Sequence, residues 1–233
     1  MKKHIPNMIT CLNLFSGCMA CVMALSDNNY IEAFIFIIIA SVFDFFDGFA
    51  ARLLKVYSDI GKELDSLADV VSFGVAPGMV IYVFLQDILA NAFPSSLAYF
   101  SLFAFLIPAF SALRLAKFNI DDRQTSSFIG LPVPANALFW GSFIYLLSYS
   151  DIIPPLYKIV GVILCIFLFS YLMVSEIQMF SLKFKNYRWK RNEMRYILIV
   201  TSIVLLIVFN LSGISVIIIA YMFMSLFKSK ASL

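Results

Sequence analysis

The chain has 233 residues, of which 62% are hydrophobic and only 13% are charged, and its formal net charge is +3. Its mean hydropathy is +0.92. A chain this apolar is typical of a protein that crosses a membrane several times, and the composition excludes a large soluble domain.

Polar breaks divide the chain into eight apolar segments, each of which predicts a membrane helix of roughly 20 residues. The predicted segments are residues 6–25, 31–54, 64–85, 97–118, 132–149, 157–180, 195–209 and 214–228. The first segment is interpreted as a membrane helix rather than a signal peptide, because its apolar run has no small-residue cleavage site followed by a soluble region. The sequence therefore predicts an all-α polytopic helical bundle.

The last two segments come from one long apolar run. Residues 196–227 form an uncharged stretch of 32 residues, which as a single helix would be about 48 Å long, too long for one ordinary crossing. The sequence Asn-Leu-Ser-Gly at 210–213 indicates a turn. We therefore predict a hairpin of two short helices, with one long crossing as the alternative.

The distribution of lysine and arginine predicts the orientation of the segments, because these residues concentrate in cytoplasmic connections. With eight segments and a cytoplasmic N-terminus, 16 of the 17 basic residues face the cytoplasm and only Lys158 does not. Both termini are thus predicted to be cytoplasmic. The basic run at 183–195 is interpreted as an inner loop, with contact to anionic lipids as the alternative.

The domain prediction is a single membrane domain. Residues 1–180 form its core, and residues 181–233 add the basic inner loop and the C-terminal hairpin. Four cysteines lie in apolar segments, which indicates packing residues rather than disulfides or metal ligands: Cys11, Cys18, Cys21 and Cys165. His4 is the only histidine, which argues against a histidine-based zinc site.

Four aspartates interrupt the second and third segments. Asp44 and Asp47 are three residues apart, and Asp65 and Asp69 are four apart, so each pair shares a helix face. A charged residue inside a membrane helix costs roughly 2.5 to 3.5 kcal/mol on insertion scales, and converging carboxylates repel one another unless cations or protons compensate them. A cluster with oxygen ligands alone suits Mg²⁺ or Mn²⁺.

The depth of these aspartates places them near the cytoplasmic surface. Arg52 marks the inner end of the second segment, and Asp44 lies eight residues before it, about 12 Å along the helix axis. Gly48 would let a ligand approach the backbone, and Arg52 offers a planar fork for phosphate. The alternatives are hydrogen bonding between helices or the cation pathway of a transporter, although no inverted halves or discontinuous helices are found.

The spacing of these residues resembles the signature of the CDP-alcohol phosphatidyltransferases. The matching positions are Asp44, Asp47, Gly48, Ala51, Arg52, Gly61, Asp65 and Asp69. The stretches at 5–17, 64–78 and within 114–135 are similar to those of the phosphatidylserine synthases of bacteria and archaea in this family. The resemblance covers residues 5–150.

The resemblance implies a membrane-embedded homodimer with a six-helix catalytic core. From the distribution of basic residues and the depth of the aspartates, we expect the protein to lie in the cytoplasmic membrane with its active site facing the cytoplasm. It implies two Mg²⁺ or Mn²⁺ ions held by the four aspartates, with Asp69 also acting as the general base. The implied reaction transfers the phosphatidyl group of CDP-diacylglycerol to the hydroxyl of L-serine and releases CMP. The alternative acceptors within the family are glycerol 3-phosphate, inositol phosphate or a second lipid. No nucleic-acid partner is expected.

Further binding residues are expected in two groups. The resemblance implies contacts to the nucleotide or diphosphate from Asn7, Thr10, Gly48, Ala51, Arg52 and Gly61. It implies contacts to serine or a lipid phosphate from Arg114, Lys117 and Asn119, although basic residues are also common at an inner helix end. Lys117 stands where the family pattern has arginine, which keeps the charge but loses the bidentate geometry.

Overall fold

The computed structural model of the protein describes residues 4–26, 29–121, 128–179, 189 and 192–231. These residues are almost entirely helical. In chain order the elements are α1 (His4–Leu25), α2 (Tyr30–Leu54), α3 (Asp59–Asp69), a π-helix (Val70–Val75), α4 (Ala76–Ala92), a 3₁₀-helix (Ser95–Phe105), α5 (Leu106–Ile120), β1 (Phe128–Ile129), α6 (Val133–Ser148), α7 (Pro155–Val174), β2 (Gln178–Met179), α8 (Glu193–Phe209), a 3₁₀-turn (Asn210–Ser212) and α9 (Gly213–Ala231).

The prediction of an all-α polytopic membrane protein is confirmed. Within the described residues, six helical stretches are long and apolar enough to cross a membrane. They are His4–Leu25, Tyr30–Leu54, Asp59–Ala92, Ser95–Ile120, Pro155–Val174 and Glu193–Leu226. Helix α6 is also apolar but has only 16 residues. Every predicted segment contains a helix, while the number of eight crossings stays a prediction.

The third helical stretch begins earlier than predicted. Helix α3 starts at Asp59 rather than near residue 64, because Ser58 caps it by accepting a hydrogen bond of 3.0 Å from the Gly61 amide. Hydropathy misses this first turn because it is polar. The helix then widens into one π-helical turn over Val70–Val75, directly after Asp69, a feature that is frequent at functional sites.

The sixth predicted segment, 157–180, is wrong at its C-terminal end, since α7 stops at Val174. The following residues pair with the strand before α6: Ile129 is opposite Gln178, and the Gly130 amide donates to the Ile177 carbonyl at 2.8 Å. Gly130 has a φ of +73°, which glycine adopts without steric cost. The backbone of this segment is therefore satisfied by a neighbouring strand instead of by a helix.

The turn predicted at 210–213 is present. A Cβ placed on Gly213 would lie 2.5 Å from the Leu205 carbonyl oxygen. These two residues are eight positions apart and would be separated by about 12 Å along the axis of a continuous helix. The chain therefore reverses, and α8 packs against α9. The hairpin is attached to α6, because the Ser215 amide donates to Ser142 Oγ at 2.9 Å.

The core lies between α1, α2, α4, α6 and α7, where large apolar side chains are fully buried. Phe139 on α6 stacks on Phe169 of α7 with ring centroids 3.9 Å apart. The outer faces of the helices carry many large exposed hydrophobic side chains, such as Phe45 on α2 and Ile207 on α8. Such faces are suited to lipid rather than to water.

The four cysteines are free thiols. Cys21 and Cys165 are half-buried and pack against the core as predicted. Cys11 and Cys18 are exposed on the outward face of α1. They are free thiols, as predicted, but they do not pack in the core of the described chain.

Several predictions concern residues outside the described part of the chain. These are Lys2, Lys3, Arg123 and most of the basic run at 183–195. The orientation of the bundle, which depends on them, stays a prediction.

Candidate active site

Three aspartates from two helices converge on one point. Asp44 and Asp47 project from the same face of α2, and Asp65 projects from α3. One carboxylate oxygen from each lies within 4.8 Å of the others. Asp47 is buried, with 6% of its surface exposed, and the other two are half-buried. The clustering predicted from the spacing is therefore present for these three residues.

The three carboxylates fit a divalent cation. The ligands of Mg²⁺ lie 2.0–2.1 Å from the ion, so two ligands of one ion are at most about 4.2 Å apart. The 4.8 Å within which the three oxygens lie is slightly wider than this limit. Oδ1 of Asp65 is buried and has no hydrogen-bond partner among the described residues. A buried, unpaired carboxylate oxygen is costly unless a cation or donor meets it.

Thr10 of α1 holds one member of this cluster. Its hydroxyl oxygen lies 2.7 Å from Asp47 Oδ2 and 3.1 Å from the Pro6 carbonyl oxygen. The hydroxyl has a single proton, and the shorter contact to the carboxylate is the stronger hydrogen bond. Thr10 was predicted to contact the nucleotide; in the structure it orients a predicted metal ligand.

Asp69 lies at the end of α3, one helical turn after Asp65, and is buried with 8% exposure. It is not part of the group of three converging oxygens, but it interacts electrostatically with Asp44, Asp65 and Asp47. Asn13 Nδ2 donates a hydrogen bond of 3.3 Å to Asp69 Oδ1. The fourth predicted carboxylate is therefore adjacent to the cluster and is held by α1.

Asn13 is a site residue that the sequence analysis missed. It is completely buried, and its backbone carbonyl accepts a hydrogen bond of 3.0 Å from Ser72 Oγ in the π-helix. Gly17 permits this approach, since a Cβ there would collide with Ser72. The available signal was the spacing of three residues from Asn7 to Thr10 to Asn13, which places polar side chains along one side of α1.

The remaining signature residues of α2 border an open surface. A Cβ placed on Gly48 would meet no atom within 4 Å. Ala51 is half-buried and Arg52 is exposed in the last turn. There is thus free space beside the carboxylates, on the side predicted to receive the diphosphate.

Gly61 and Asn7 contact each other. A Cβ on Gly61 would lie 3.0 Å from Asn7 Oδ1 and 2.9 Å from Ser58 Oγ. Gly61 therefore allows α3 to approach α1 closely. This close packing is sufficient to explain why position 61 is glycine, without a bound ligand. The predicted nucleotide contacts of these two residues stay predictions.

Arg114 is the buried cation of the site. It lies on α5 with 6% of its surface exposed, its guanidinium stacks over the Phe118 ring at 5.0 Å, and it interacts electrostatically with Asp69. Its Nη2 has no hydrogen-bond partner among the described residues. A buried guanidinium nitrogen without an acceptor favours binding of an anionic group.

The two other predicted acceptor residues contact protein. Lys117 is exposed, and its Nζ donates to the Val174 carbonyl at 3.4 Å, at the C-terminal end of α7. Asn119 Nδ2 donates to Ser66 Oγ at 2.8 Å. These bonds hold the end of α5 against α3 and α7. Neither residue is shown to bind a substrate.

A cavity of about 300 Å³ opens beside Arg114. Its polar lining consists of Arg114, Lys117, Asp121, Ser175 and Glu176, and Ile129 and Met173 contribute apolar walls. The sequence analysis did not predict Asp121, Ser175 or Glu176. The last two lie after α7, where a helix was expected.

The chain is similar in sequence to proteins named as serine phosphatidyltransferases and as an archaetidylserine synthase. It is 39% identical over 177 residues to the CDP-diacylglycerol–serine O-phosphatidyltransferase of Bacillus subtilis (strain 168), an alignment that covers 76% of this chain and 89% of that protein. It is 36% identical over 174 residues to the protein of the same name from Methanocaldococcus jannaschii, covering 75% and 72% of the two chains. It is 31% identical over 178 residues to the archaetidylserine synthase of Methanothermobacter thermautotrophicus, covering 75% and 68%.

The family comparison agrees with these relatives. The CDP-alcohol phosphatidyltransferase family model matches residues 3–170, a region that contains all four aspartates and Arg114. The protein is therefore a member of the CDP-alcohol phosphatidyltransferase family.

Proposed function

We propose that the protein transfers the phosphatidyl group of CDP-diacylglycerol to the hydroxyl of L-serine, giving phosphatidylserine and CMP. The observation that carries the proposal is the convergence of three carboxylate oxygens within 4.8 Å, beside the buried pair Asp69 and Arg114, in a chain whose relatives bear the name of this activity. The alternative reading as a transporter would not explain why the relatives bear the name of a phosphatidyltransferase.

The reaction is a displacement at phosphorus. The serine hydroxyl oxygen forms a bond to the phosphorus of the phosphatidyl group, and the bond from that phosphorus to the bridging diphosphate oxygen breaks. CMP leaves with that electron pair. The hydroxyl proton passes to Asp69, which is suited to this role because Asn13 holds its carboxylate in place.

Asp44, Asp47 and Asp65 would hold the divalent cation, with Asp69 as a further ligand of a two-ion site. When bound, Mg²⁺ or Mn²⁺ neutralises the negative charge of the diphosphate and of the departing CMP. The chain itself orients these ligands, as Thr10 does for Asp47. The open surface beside Gly48 receives the diphosphate, and Arg52 at its edge supplies a phosphate contact.

The nucleotide and the acceptor are assigned to different residues around the carboxylates. Asn7, Thr10, Ala51 and Gly61 border the nucleotide side. Arg114 receives the serine carboxylate, with Lys117 and Asn119 maintaining the end of α5. This arrangement is supported by the burial of Arg114 and by its unpaired Nη2.

We further propose that the protein lies in the cytoplasmic membrane as a homodimer, with its active site and both termini on the cytoplasmic side. Residues 1–180 form the catalytic core, and residues 181–233 add the inner loop and the α8–α9 hairpin. The end of the family match at residue 170 supports this division.

The test is an assay of the purified full-length protein with CDP-diacylglycerol, labelled L-serine and Mn²⁺. We expect equal amounts of phosphatidylserine and CMP, and loss of both products when the metal is chelated. Parallel reactions contain glycerol 3-phosphate or inositol phosphate in place of serine. Transfer to one of these compounds but not to serine would overturn the substrate assignment.

A further inference from the structure

The inward face of α9 carries two buried polar side chains. Ile214, Ile218, Tyr221 and Ser225 follow one another at intervals of four, three and four residues, which places them on one face of the helix. The two isoleucines pack against the core, and Tyr221 and Ser225 are buried. Phe223, on another face, is exposed. The hydroxyl groups of α9 at positions 221 and 225 are therefore turned toward the protein.

The attachment of the hairpin fixes where this face lies. Ser142 of α6 accepts a hydrogen bond of 2.9 Å from the Ser215 amide, and Tyr221 follows six residues later, about 9 Å along the helix axis. Helix α9 also packs against β2. Ser175 and Glu176, shortly before β2, line the cavity beside Arg114. Helix α9 therefore contacts the segment that continues from the cavity wall.

Arg114 is the residue of the site with which Tyr221 interacts. The two side chains interact electrostatically, and both are buried. Arg114 also interacts with Asp69 at the end of α3 and stacks over the ring of Phe118 on its own helix. Ser225, one turn after Tyr221, donates to the Tyr221 carbonyl at 2.9 Å and interacts with its side chain. The surroundings of the Arg114 guanidinium thus include a tyrosine from the C-terminal hairpin.

A phenol can orient a buried cation without neutralising it. A guanidinium has five N–H donors and no acceptor, whereas a phenolic oxygen can accept a hydrogen bond and has no charge. A further carboxylate at this position would pair with the cation and compete with an anionic ligand. Nη2 of Arg114 has no hydrogen-bond partner among the described residues. Its donors thus stay available for a ligand that carries a carboxylate or a phosphate.

We propose that Tyr221 is a positioning residue, which holds the Arg114 guanidinium in the orientation that receives the carboxylate of the serine acceptor. This assignment rests on the proposed function. It gives the C-terminal hairpin a part in recognition of the acceptor, although the hairpin lies beyond the residues 3–170 that the family model matches. Tyr221 acts through Arg114 and not on the reacting atoms.

The test is the Tyr221→Phe variant of the full-length protein, which loses the hydroxyl and keeps the ring. Serine transfer is measured with CDP-diacylglycerol, labelled L-serine and Mn²⁺. The KM for serine should rise about 10-fold, the effect of losing one polar interaction with a charged group. Both kcat at saturating serine and the KM for CDP-diacylglycerol should stay within about threefold of the wild-type values.

Tyr30→Phe is the matched control, because Tyr30 is as buried as Tyr221, with 8% against 7% of its surface exposed. Tyr30 lies at the start of α2, and its hydroxyl has no hydrogen-bond partner among the described residues. This variant should leave the KM for serine unchanged.

A double variant tests whether Tyr221 acts through Arg114. In an Arg114→Gln background the guanidinium is absent, so adding Tyr221→Phe should change kcat/KM for serine by less than about twofold. A tenfold loss that persists in this background would overturn the positioning role. If Arg114→Gln has no measurable activity, the comparison of Tyr221→Phe with Tyr30→Phe decides alone.

Two results of that comparison would also overturn the proposal. One is an equal KM for serine in the two variants, and the other is a parallel rise in the KM values for both substrates, which would show a structural effect. A wild-type protein that uses a phosphorylated alcohol and not serine would overturn the proposed function. The same variants would then be compared by their KM for that anionic acceptor, which decides the role of Tyr221 separately.

Discussion

Asn13 donates a hydrogen bond of 3.3 Å from its Nδ2 to Oδ1 of Asp69, and this contact joins α1 to the end of α3 across 56 residues of sequence. Both side chains are buried. The bond fixes the rotamer of the carboxylate that is proposed to accept the serine proton, at the point where the helix widens into its π-turn.

Asn13→Leu keeps the size of the side chain but removes the donor to Asp69. We expect kcat for serine transfer to fall about 10-fold to 100-fold, as for loss of an outer residue that orients a catalytic group, with the KM for CDP-diacylglycerol little changed. Asn91→Leu is the control, since Asn91 donates to Asp87 in an exposed pair of the same kind. Equal kcat values for the two variants would contradict an orienting role.

Asp69→Asn replaces the proposed base with a neutral amide of nearly the same shape. Serine transfer should fall at least about 100-fold, the lower limit for loss of a general base, while binding of CDP-diacylglycerol largely survives. Phosphatidylserine and CMP are both quantified in the labelled-serine assay. The control is Glu63→Gln, which changes an exposed carboxylate of the same helix and should retain activity. Full serine transfer by the Asp69→Asn variant would show that Asp69 is not the general base.

Asp44→Asn, Asp47→Asn and Asp65→Asn each remove an anionic oxygen from the converging group. Each substitution should lower the affinity for Mn²⁺ and the activity together. A double variant should lose little more of either than a single variant, because the three residues act as a unit. Binding is measured by Mn²⁺ titration of the purified protein. Glu32→Gln at the far end of α2 serves as the control, and unaltered titration in all three aspartate variants would remove the metal-site proposal.

Thr10→Val removes the hydroxyl that contacts Asp47 at 2.7 Å and preserves the branched shape of the side chain. The affinity for Mn²⁺ should fall about 10-fold to 100-fold, as expected for loss of an outer-shell partner of a metal ligand. Thr10→Ser keeps the hydroxyl and should restore most of the affinity. If serine at this position were no better than valine, the hydrogen bond would not explain the effect.

The orientation of the bundle is tested by reporter fusions after Leu233 and within the 183–195 loop. Both reporters should be cytoplasmic, because α8 and α9 form a hairpin that returns the chain to the side from which it began. An external C-terminus together with a cytoplasmic loop would mean that residues 196–227 cross the membrane once, and the eight-crossing prediction would be wrong.

The sequence alone determined the fold class and the position of the carboxylate cluster. Membrane helices satisfy their backbone within one segment, so hydropathy is sufficient to find them, and a polar residue in such a segment is conspicuous. Asp44, Asp47 and Asp65 are therefore recognisable from helical spacing, and the turn at 210–213 from its polar residues.

The tertiary structure alone decided which side chains orient and surround that cluster. Thr10 and Asn13 meet their aspartates across 37 and 56 residues of sequence, and no local spacing encodes a contact between distant helices. The end of α7 at Val174 and the placement of Ser175 and Glu176 in the wall of the cavity beside Arg114 accompany pairing with the strand before α6. Hydropathy reports whether one segment prefers lipid or water, whereas these contacts arise from the packing of several segments against one another.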